Sequence, residues 1–117
     1  YTYHDLPPGT PDPDLKQFSI KPAEAYILPM LRDIRRVCPE LTVIASPWSA
    51  PAWMKSSKNL HGGWLDWGSY ATYARYFVRF LEAYAAAGVP VQYVTVQNEP
   101  RHETNSYPSM RMEPHDQ

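Results

Sequence analysis

The sequence predicts an α/β fold with parallel strands, because two short apolar segments with strand character flank one long amphipathic helix. The first segment is residues 41–46, the helix follows Ser69 and the second segment is residues 91–97. A strand–helix–strand crossover makes its two strands parallel and places their carboxyl ends at the same edge of the sheet. The residues that follow positions 46 and 97 are therefore expected on one rim.

The composition bounds the function classes. The chain has 117 residues, of which 44% are hydrophobic and 14% aromatic, as expected for one modest globular unit or a piece of one. Its net charge is −1 and its basic residues are scattered, so no surface for nucleic acid or for an anionic membrane is predicted. No apolar run reaches the length of a membrane span.

Residues 1–5 (YTYHD) alternate like the last residues of a strand. Because a strand of ordinary length needs more residues upstream, we expect the chain to be cut at its beginning, and at its end as well. Residues 6–14 are rich in proline, glycine and aspartate and are predicted to form a loop.

A helix is predicted to begin near Pro22, because proline is favoured in a first turn. Its apolar positions, which have helical spacing, are Ile27, Leu31, Ile34 and Cys38, with Leu28 and Val37 beside them. Pro29 is expected to kink this helix and Pro39 to end it. Cys38 is the single cysteine, which excludes an internal disulfide, and its place in the apolar pattern predicts a buried, unreactive thiol.

The two strands and the second helix are predicted from residue type and from the signals that start and stop a helix. Residues 41–46 are apolar and β-branched, which predicts a strand buried on both faces, and residues 91–97 predict the next strand. Between them, Ser69 is a suitable N-cap, and Gly88 followed by Pro90 is a strong stop signal. The predicted apolar stripe of this helix consists of Tyr70, Tyr73, Ala74, Phe77, Leu81, Tyr84 and Ala85.

Residues 47–68 form an unusually long connection between a strand and a helix, and they hold all four tryptophans. Indoles bury large areas, so a disordered loop is not expected. For Trp53, Trp64 and Trp67 we favour the interpretation that they pin the loop onto the fold. Trp48 lies closest to the strand end and is the better candidate for contact with a ligand, since flat apolar rings also suit a sugar.

The tripeptide Asn98-Glu99-Pro100 directly follows the second strand. A carboxylate at the carboxyl end of a parallel strand, with a stiffening proline after it, is typical of a positioned acid. Breaking a glycosidic bond requires proton donation to the leaving oxygen, and in a retaining mechanism the same residue then activates water. The amide of Asn98 is suited to bind the 2-hydroxyl of the sugar, where hydrogen bonds strengthen in the transition state.

Four stretches now carry a resemblance to a known family: residues 1–5 (YTYHD), 45–55 (ASPWSAPAWMK), 74–81 (ARYFVRFL) and 98–100 (NEP). They resemble glycoside hydrolase family 30, the glucosylceramidase family, along nearly the whole chain. The resemblance implies a partial (β/α)8 TIM barrel with parallel strands, covering about strands 2 to 4 with their helices. Residues 1–117 would then be one incomplete catalytic domain, truncated at both ends.

The resemblance also implies roles for four residues. Glu99 matches the general acid/base, Asn98 matches the amide that holds the 2-hydroxyl, and Asp5 and Trp48 match residues that line the subsite for the non-reducing sugar. The family's nucleophile is another glutamate, at the end of the seventh strand, which this chain does not reach. We therefore expect the isolated 117-residue chain to be inactive. An aspartate beside a proline-rich loop is also a common turn former, so this alternative stays open for Asp5.

The resemblance implies a carbohydrate or glycolipid substrate and, as partners in the parent chain, the remainder of the barrel and an accessory β-sandwich. It implies a secreted or lysosomal protein. Ceramide-type β-glucosides are the favoured candidate substrates, and β-1,6-glucan, β-xylosides and β-fucosides are the alternatives. Residues 6–17 are longer and richer in proline than the family pattern, which leaves the leaving group open. Two other classes compete with the hydrolase: a carbohydrate-binding relative without catalysis, and a structural fragment with incidental motifs.

Other chemistries lack support in the sequence. The four histidines are far apart and Cys38 stands alone, so neither a metal site nor a cofactor is predicted. No glycine-rich phosphate loop and no Gly-x-Ser-x-Gly elbow is present. The carboxylates of Glu103, Glu113 and Asp116 are interpreted as solvated charges in loops or at helix starts.

Overall fold

The computed structural model describes all residues from 1 to 117. Its helices and strands are α1 (Lys21–Glu24), α2 (Ile27–Val37), β1 (Ile44–Ala45), α3 (Tyr70–Ala86) and β2 (Tyr93–Val94). Single 3₁₀ turns lie at Ala52–Met54, Trp67–Ser69 and Pro114–Asp116. The strands pair in parallel across the α3 crossover, which confirms the predicted strand–helix–strand unit. None of the helices combines the length and the apolar character that crossing a membrane requires.

The strands are shorter and more open than predicted. Ile44 pairs with Tyr93, and these side chains are 65% and 62% exposed, so the prediction that residues 41–46 form a strand buried on both faces is wrong here. The physical reason is that strand side chains project from the faces of a sheet, and this sheet of two strands leaves the face that carries Ile44 and Tyr93 uncovered. The contact continues past the pair, since the Thr95 N–H donates to the Ala45 carbonyl at 3.0 Å.

Residues 1–5 form a turn, so the predicted strand end is wrong. The backbone N–H and the hydroxyl of Thr2 both donate to the carboxylate of Asp5, each at 2.7 Å. These local bonds satisfy the backbone without a neighbouring strand. The turn is anchored to the fold by Tyr3, whose N–H donates to the Tyr76 hydroxyl at 3.1 Å and whose ring stacks on Phe80.

The first helical region is divided into two helices and is not one kinked helix. The break lies at Ala25 and Tyr26, before Pro29 rather than at it. An unbroken helix would need an N–H on Pro29 for the Ala25 carbonyl, and the proline ring would clash with that carbonyl. The chain therefore restarts, and Met30 makes an early backbone bond of α2, to the Tyr26 carbonyl at 3.1 Å.

The packed face of α2 runs through its first half. Leu28 is fully buried, whereas Ile34 is 39% exposed and Val37 is 89% exposed. Cys38 is exposed, so the prediction of a buried thiol is wrong. It occupies the C-cap with a non-helical backbone (φ −128°, ψ 85°), where the chain has already turned out of the helix.

Helix α3 ends as its sequence predicts. Gly88 adopts φ +81°, which favours glycine, and the Val89 N–H donates to the Tyr84 carbonyl at 2.9 Å. The Gly88 N–H donates to Ala85 at 3.0 Å, which completes a Schellman motif. Ser69 is the N-cap residue, but its hydroxyl makes no capping bond.

The buried stripe of α3 is rotated from the predicted one. Tyr73 and Tyr84 are buried as predicted, but Ala74 and Ala85 are exposed. Tyr76 is buried in their place. The face is rotated because rings from the first 20 residues pack on it, including Phe18, which meets Tyr76 edge to face with centroids 5.3 Å apart.

Two apolar clusters form the core. The larger lies under the long rim loop and consists of Leu15, Ala50, Met54, Leu65, Tyr73, Tyr76, Met110 and Met112. The smaller joins α1 and α2 to the end of α3 and consists of Ala23, Leu28, Tyr84 and Val89. The rim loop thus has a core of its own, as expected for a loop rich in indoles.

Lys55 is a fully buried cation that holds the rim loop in place. Its ammonium donates at 2.8 Å to the Ser49 hydroxyl, the Leu60 carbonyl and the Ser109 carbonyl. These partners come from the start of the loop, from its tip and from the segment after β2. Burial lowers the pKa of Lys55 to about 8, against the opposing influence of the Glu103 charge.

We predict that Lys55→Met lowers the free energy of unfolding of the full-length protein by about 3 kcal/mol, because three acceptors lose their donor. Chemical unfolding measures this loss. The matched control is Lys58→Met, whose 62% exposed ammonium pairs with Asp66 and whose removal is expected to change stability by less than about 1 kcal/mol. Equal effects of the two substitutions would contradict the prediction.

The lowered pKa gives this prediction a pH dependence. The folded state releases the Lys55 proton near pH 8, whereas an unfolded lysine keeps it to about pH 10. Between these values the unfolded state binds more protons, so the contribution of Lys55 to stability rises with pH. The stability difference between wild type and Lys55→Met should therefore widen from pH 8 to pH 10.

Candidate active site

Glu99 is an exposed carboxylate on a constrained backbone, five residues after β2 ends at Val94. Its φ is +45°, a left-handed conformation that is unusual for any residue other than glycine. The turn is closed by the His102 N–H, which donates to the Glu99 carbonyl at 2.9 Å, and by the Met112 N–H, which donates to Pro100 at 2.8 Å. Such strain, of about 1 to 2 kcal/mol, persists only where the surroundings enforce it.

Asn98 and the residues after β1 share one rim, as the parallel crossover predicts. The Asn98 N–H donates to the Pro47 carbonyl at 2.8 Å, and the side-chain amide of Gln97 donates to the Trp48 carbonyl at 3.0 Å. Asn98 is half-buried. Residues 47–48 and 97–98 are therefore hydrogen-bonded neighbours, and Glu99 is the next residue along the chain.

Trp48 presents its ring at this rim and belongs to a small aromatic array. Its side chain is 48% exposed and meets Tyr107 edge to face, with ring centroids 5.4 Å apart. Tyr107 in turn stacks with His102, and their ring centroids are 6.0 Å apart. His102 lies three residues after Glu99 in the sequence. Sequence reasoning missed Tyr107 and His102, because isolated residues in a polar loop carry no motif.

The structure does not gather all four predicted residues into one cavity. Trp48 borders an apolar groove of about 460 Å³ between β1, α2 and α3. Glu99 borders a separate shallow hollow, whose lining consists of Glu99, Pro100, Arg101, His102, Met112, Pro114 and Gln117. Asp5 lines neither; its carboxylate is exposed and closes its own turn with Thr2, which favours the turn-former interpretation within this chain.

A buried network next to Asp5 joins the amino-terminal turn to the rim loop. The Trp53 indole N–H donates to His4 Nδ1 at 3.1 Å, and His4 Nε2 lies 3.1 Å from Asp12 Oδ2. Because Nδ1 accepts a hydrogen bond from the indole N–H, the neutral ring carries its own proton on Nε2, which donates to Asp12. Burial raises the pKa of Asp12, but hydrogen bonds from the Gln17 N–H and from His4 outweigh it and hold the pKa below its usual value.

The other three tryptophans were predicted to pack the loop onto the fold, and one of them does so. Trp53 is half-buried in the network with His4, so its predicted packing role is confirmed. Trp64 and Trp67 are 57% and 78% exposed, so the packing prediction is wrong for their rings. Trp67 is stacked on Tyr70, with centroids 5.7 Å apart.

The other carboxylates near the end of the chain have structural partners. Glu103 is exposed and accepts the Gly63 N–H at 2.8 Å, and Glu113 pairs with Arg111 at 2.7 Å. Asp116 lies 3.7 Å from His115. Their interpretation as solvated charges is confirmed for Glu103, which is exposed, but it is wrong for Asp116, whose side chain is only 17% exposed. No group of three histidine, cysteine, aspartate or glutamate side chains is placed to hold a metal ion.

Comparison with known proteins identifies relatives of this chain. It is 36% identical over 125 residues to endo-1,6-beta-D-glucanase neg1 of Aspergillus fumigatus, a match that covers 94% of this chain and 25% of that enzyme. It is 33% identical over 107 residues to lysosomal acid glucosylceramidase of Mus musculus, covering 86% of this chain and 20% of that enzyme. The chain thus spans about a quarter or less of the length of these relatives.

Two solved structures are similar to this chain in both fold and sequence. The crystal structure of SrfJ from Salmonella typhimurium matches with a TM-score of 0.89 and 31% identity, covering 99% of this chain and 25% of that chain. The endo-beta1,6-glucanase BT3312 matches with a TM-score of 0.85 and 35% identity, covering 92% of this chain and 25% of that chain.

The family comparison covers nearly the whole sequence. Residues 1–114 match the glycosyl hydrolase family 30 TIM-barrel domain. The parallel strands, the crossover helix and the shared rim described above are the corresponding part of a (β/α)8 barrel. The chain therefore belongs to glycosyl hydrolase family 30 and forms part of its TIM-barrel domain.

Proposed function

We propose that the protein containing this chain is a retaining β-glycosidase and that Glu99 is its general acid/base. The observation that carries the proposal is the placement of Glu99: an exposed carboxylate on a constrained turn at the carboxyl end of a parallel barrel strand. Catalytic residues of TIM-barrel enzymes lie at this face. Membership of a glycoside hydrolase family supports the reaction class.

In the proposed mechanism Glu99 first donates its proton to the oxygen of the leaving group. As the bond breaks, the anomeric carbon is captured by a second carboxylate, which forms a covalent glycosyl intermediate. Glu99, now ionised, takes a proton from water, and the resulting hydroxide attacks the anomeric carbon and releases the nucleophile. The amide of Asn98 binds the 2-hydroxyl of the sugar, where its contribution grows in the transition state.

Trp48 and Asp5 are proposed to form the subsite for the non-reducing sugar. The half-exposed ring of Trp48 supplies an apolar face for the sugar. Asp5 is compatible with this role even though it closes the turn at Thr2. A carboxylate has about four acceptor positions and Thr2 fills two of them, so two remain for sugar hydroxyls.

The nucleophile is proposed to lie outside this chain, in the remainder of the barrel. In a retaining enzyme its carboxyl group would be roughly 5 to 5.5 Å from that of Glu99. An accessory β-sandwich in the parent chain is part of the same proposal. A secreted or lysosomal location is proposed as well, and it is supported by the likeness to a relative named as lysosomal.

We propose a β-glucoside as substrate, and two leaving groups compete. Ceramide is supported by the likeness to lysosomal acid glucosylceramidase, which covers 86% of this chain. A β-1,6-glucan is supported by the likeness to two endo-1,6-beta-D-glucanases, from Aspergillus fumigatus and Neurospora crassa, each covering 94% of this chain. The fuller coverage favours the glucan. β-Xylosides and β-fucosides are the further alternatives.

For the acid/base role, we predict that Glu99→Gln lowers kcat/KM about 10²- to 10⁴-fold on an alkyl β-glucoside, whose leaving group needs protonation. The kcat/KM on a dinitrophenyl β-glucoside, whose leaving group needs none, should change little, because this ratio reports the first step. Steady-state kinetics of the full-length protein measure both. The matched control is Glu103→Gln, which lies in the same loop and accepts the Gly63 N–H. Equal losses on both substrates would contradict the role.

For the substrate, we predict that the full-length protein releases β-1,6-linked oligosaccharides from β-1,6-glucan. Its kcat/KM on that polymer should exceed the value on glucosylceramide in detergent micelles. Product chromatography measures the first and ceramide release measures the second. Cleavage of glucosylceramide with no action on the glucan would reverse the preference between the two leaving groups, while leaving the acid/base assignment in place.

For the isolated chain, we predict no glycosidase activity, because the nucleophile is proposed to lie elsewhere. The purified 117-residue chain is assayed with the dinitrophenyl β-glucoside beside its Glu99→Gln variant. Turnover by the chain that disappears in the variant would show that the chain is catalytically sufficient, and would overturn this part of the proposal.

A further inference from the structure

The side chain of Gln97 is a buried clamp between the two strand ends. It is 6% exposed, and its Nε2 donates to the Trp48 carbonyl at 3.0 Å and to the Asn98 carbonyl at 2.9 Å. Both neighbours are acceptors only, so the amide group has one possible orientation, with its nitrogen between them. Gln97 thus contacts the backbones of two residues proposed to bind the sugar.

Three of the described hydrogen bonds join the residues just after β1 to those just after β2. The Ser46 and Thr95 hydroxyls lie 2.6 Å apart, the Asn98 N–H donates to the Pro47 carbonyl, and the Gln97 side chain donates to the Trp48 carbonyl. The last of these is the bond that reaches Trp48, and it requires a side-chain donor of this length. The distance between Trp48 and Glu99 at the rim therefore depends on the identity of residue 97.

The clamp is a weak source of stability. Its two donated bonds stabilise the fold, but Gln97 Oε1 is buried without a partner in this chain, and the cost of an unpaired buried acceptor offsets their contribution. The net contribution to folding is therefore close to zero. A role in placing neighbouring groups accounts for the buried amide better than a role in stability does.

Building on the proposed function, we infer that Gln97 is a positioning residue that fixes Glu99 and Asn98 relative to Trp48 for proton transfer to the leaving group. The connection to Glu99 is short and stiff. Asn98 is held at its carbonyl by Gln97 and at its N–H by Pro47, and Glu99 follows with φ +45°. Without the clamp this strained backbone is free to relax toward a commoner conformation, which moves the carboxylate.

The residue just before β2 supplies a control. Gln92 also links the two strand segments, but at the opposite end, where its Oε1 accepts the Val43 N–H at 2.8 Å. Gln92 and Gln97 therefore share residue type and flank β2 on opposite sides, but Gln92 is exposed and its side chain accepts a hydrogen bond, whereas that of Gln97 is buried and donates. A general loss of strand contact would affect both, whereas a loss of acid placement would affect Gln97 alone.

The experiment compares Gln97→Met, Gln92→Met and Glu99→Gln in the full-length protein, with alkyl and dinitrophenyl β-glucosides. We expect Gln97→Met to lower kcat/KM about 10- to 100-fold on the alkyl glucoside, the loss typical of a displacement of about 1 Å. On the dinitrophenyl glucoside it should lose much less, since that substrate needs no proton. Gln92→Met should match wild type on both substrates.

A second variant tests the hydrogen bond itself. Gln97→Glu keeps the shape of the side chain but has a donor only when its carboxyl group is protonated. Its kcat/KM relative to wild type on the alkyl glucoside should therefore rise as the pH falls, whereas the ratio for Gln97→Met should stay flat. A purely structural role predicts no such difference.

The outcomes separate this inference from the proposed function. If Glu99→Gln is impaired on the alkyl glucoside but Gln97→Met equals wild type, or loses equally on both substrates, the positioning role is overturned and the acid/base assignment stands. If Glu99→Gln retains wild-type kcat/KM on the alkyl glucoside, the proposed function itself fails.

Discussion

The parallel pairing of β1 and β2 across helix α3 is the constraint on which the arrangement of this chain depends. Two residue pairs form the sheet, yet they fix the direction in which both following segments leave it. Because parallel strands end at the same edge, Trp48 and Glu99 reach one rim although they are far apart in sequence. The Schellman motif at Gly88 ends the crossover helix and releases the chain toward β2.

Buried polar contacts hold together the rim segments that the short strands bring to one edge. The Lys55 ammonium joins three separate parts of the rim, the His4 ring links the amino-terminal turn to Trp53, and Gln97 clamps the two strand ends. The contact residues Ser49, His4 and Gln97 are next in sequence to Trp48, Asp5 and Asn98, the residues proposed to bind substrate. The rim is therefore organised by directional bonds, which set positions more sharply than apolar packing does.

Much of this organisation was predictable from the sequence because it depends on local signals. The stop at Gly88, the crossover helix and the placement of Glu99 after a strand follow from periodicity and from turn chemistry. The exposure of Ile44 and Cys38 was not predictable, because burial depends on what covers a surface. The amino-terminal turn was missed because the Asp5 carboxylate replaces a strand partner, and the clamp at Gln97 because a single amide carries no pattern.

The central claim is that Glu99 is the acid/base of a retaining enzyme, and azide rescue tests it most directly. The full-length Glu99→Ala variant is assayed with a dinitrophenyl β-glucoside, with and without azide. The account predicts that azide, which needs no general base, raises kcat and that the product is the β-glycosyl azide. Wild-type rates of this variant on an alkyl β-glucoside that the protein hydrolyses, with no effect of azide, would contradict the account.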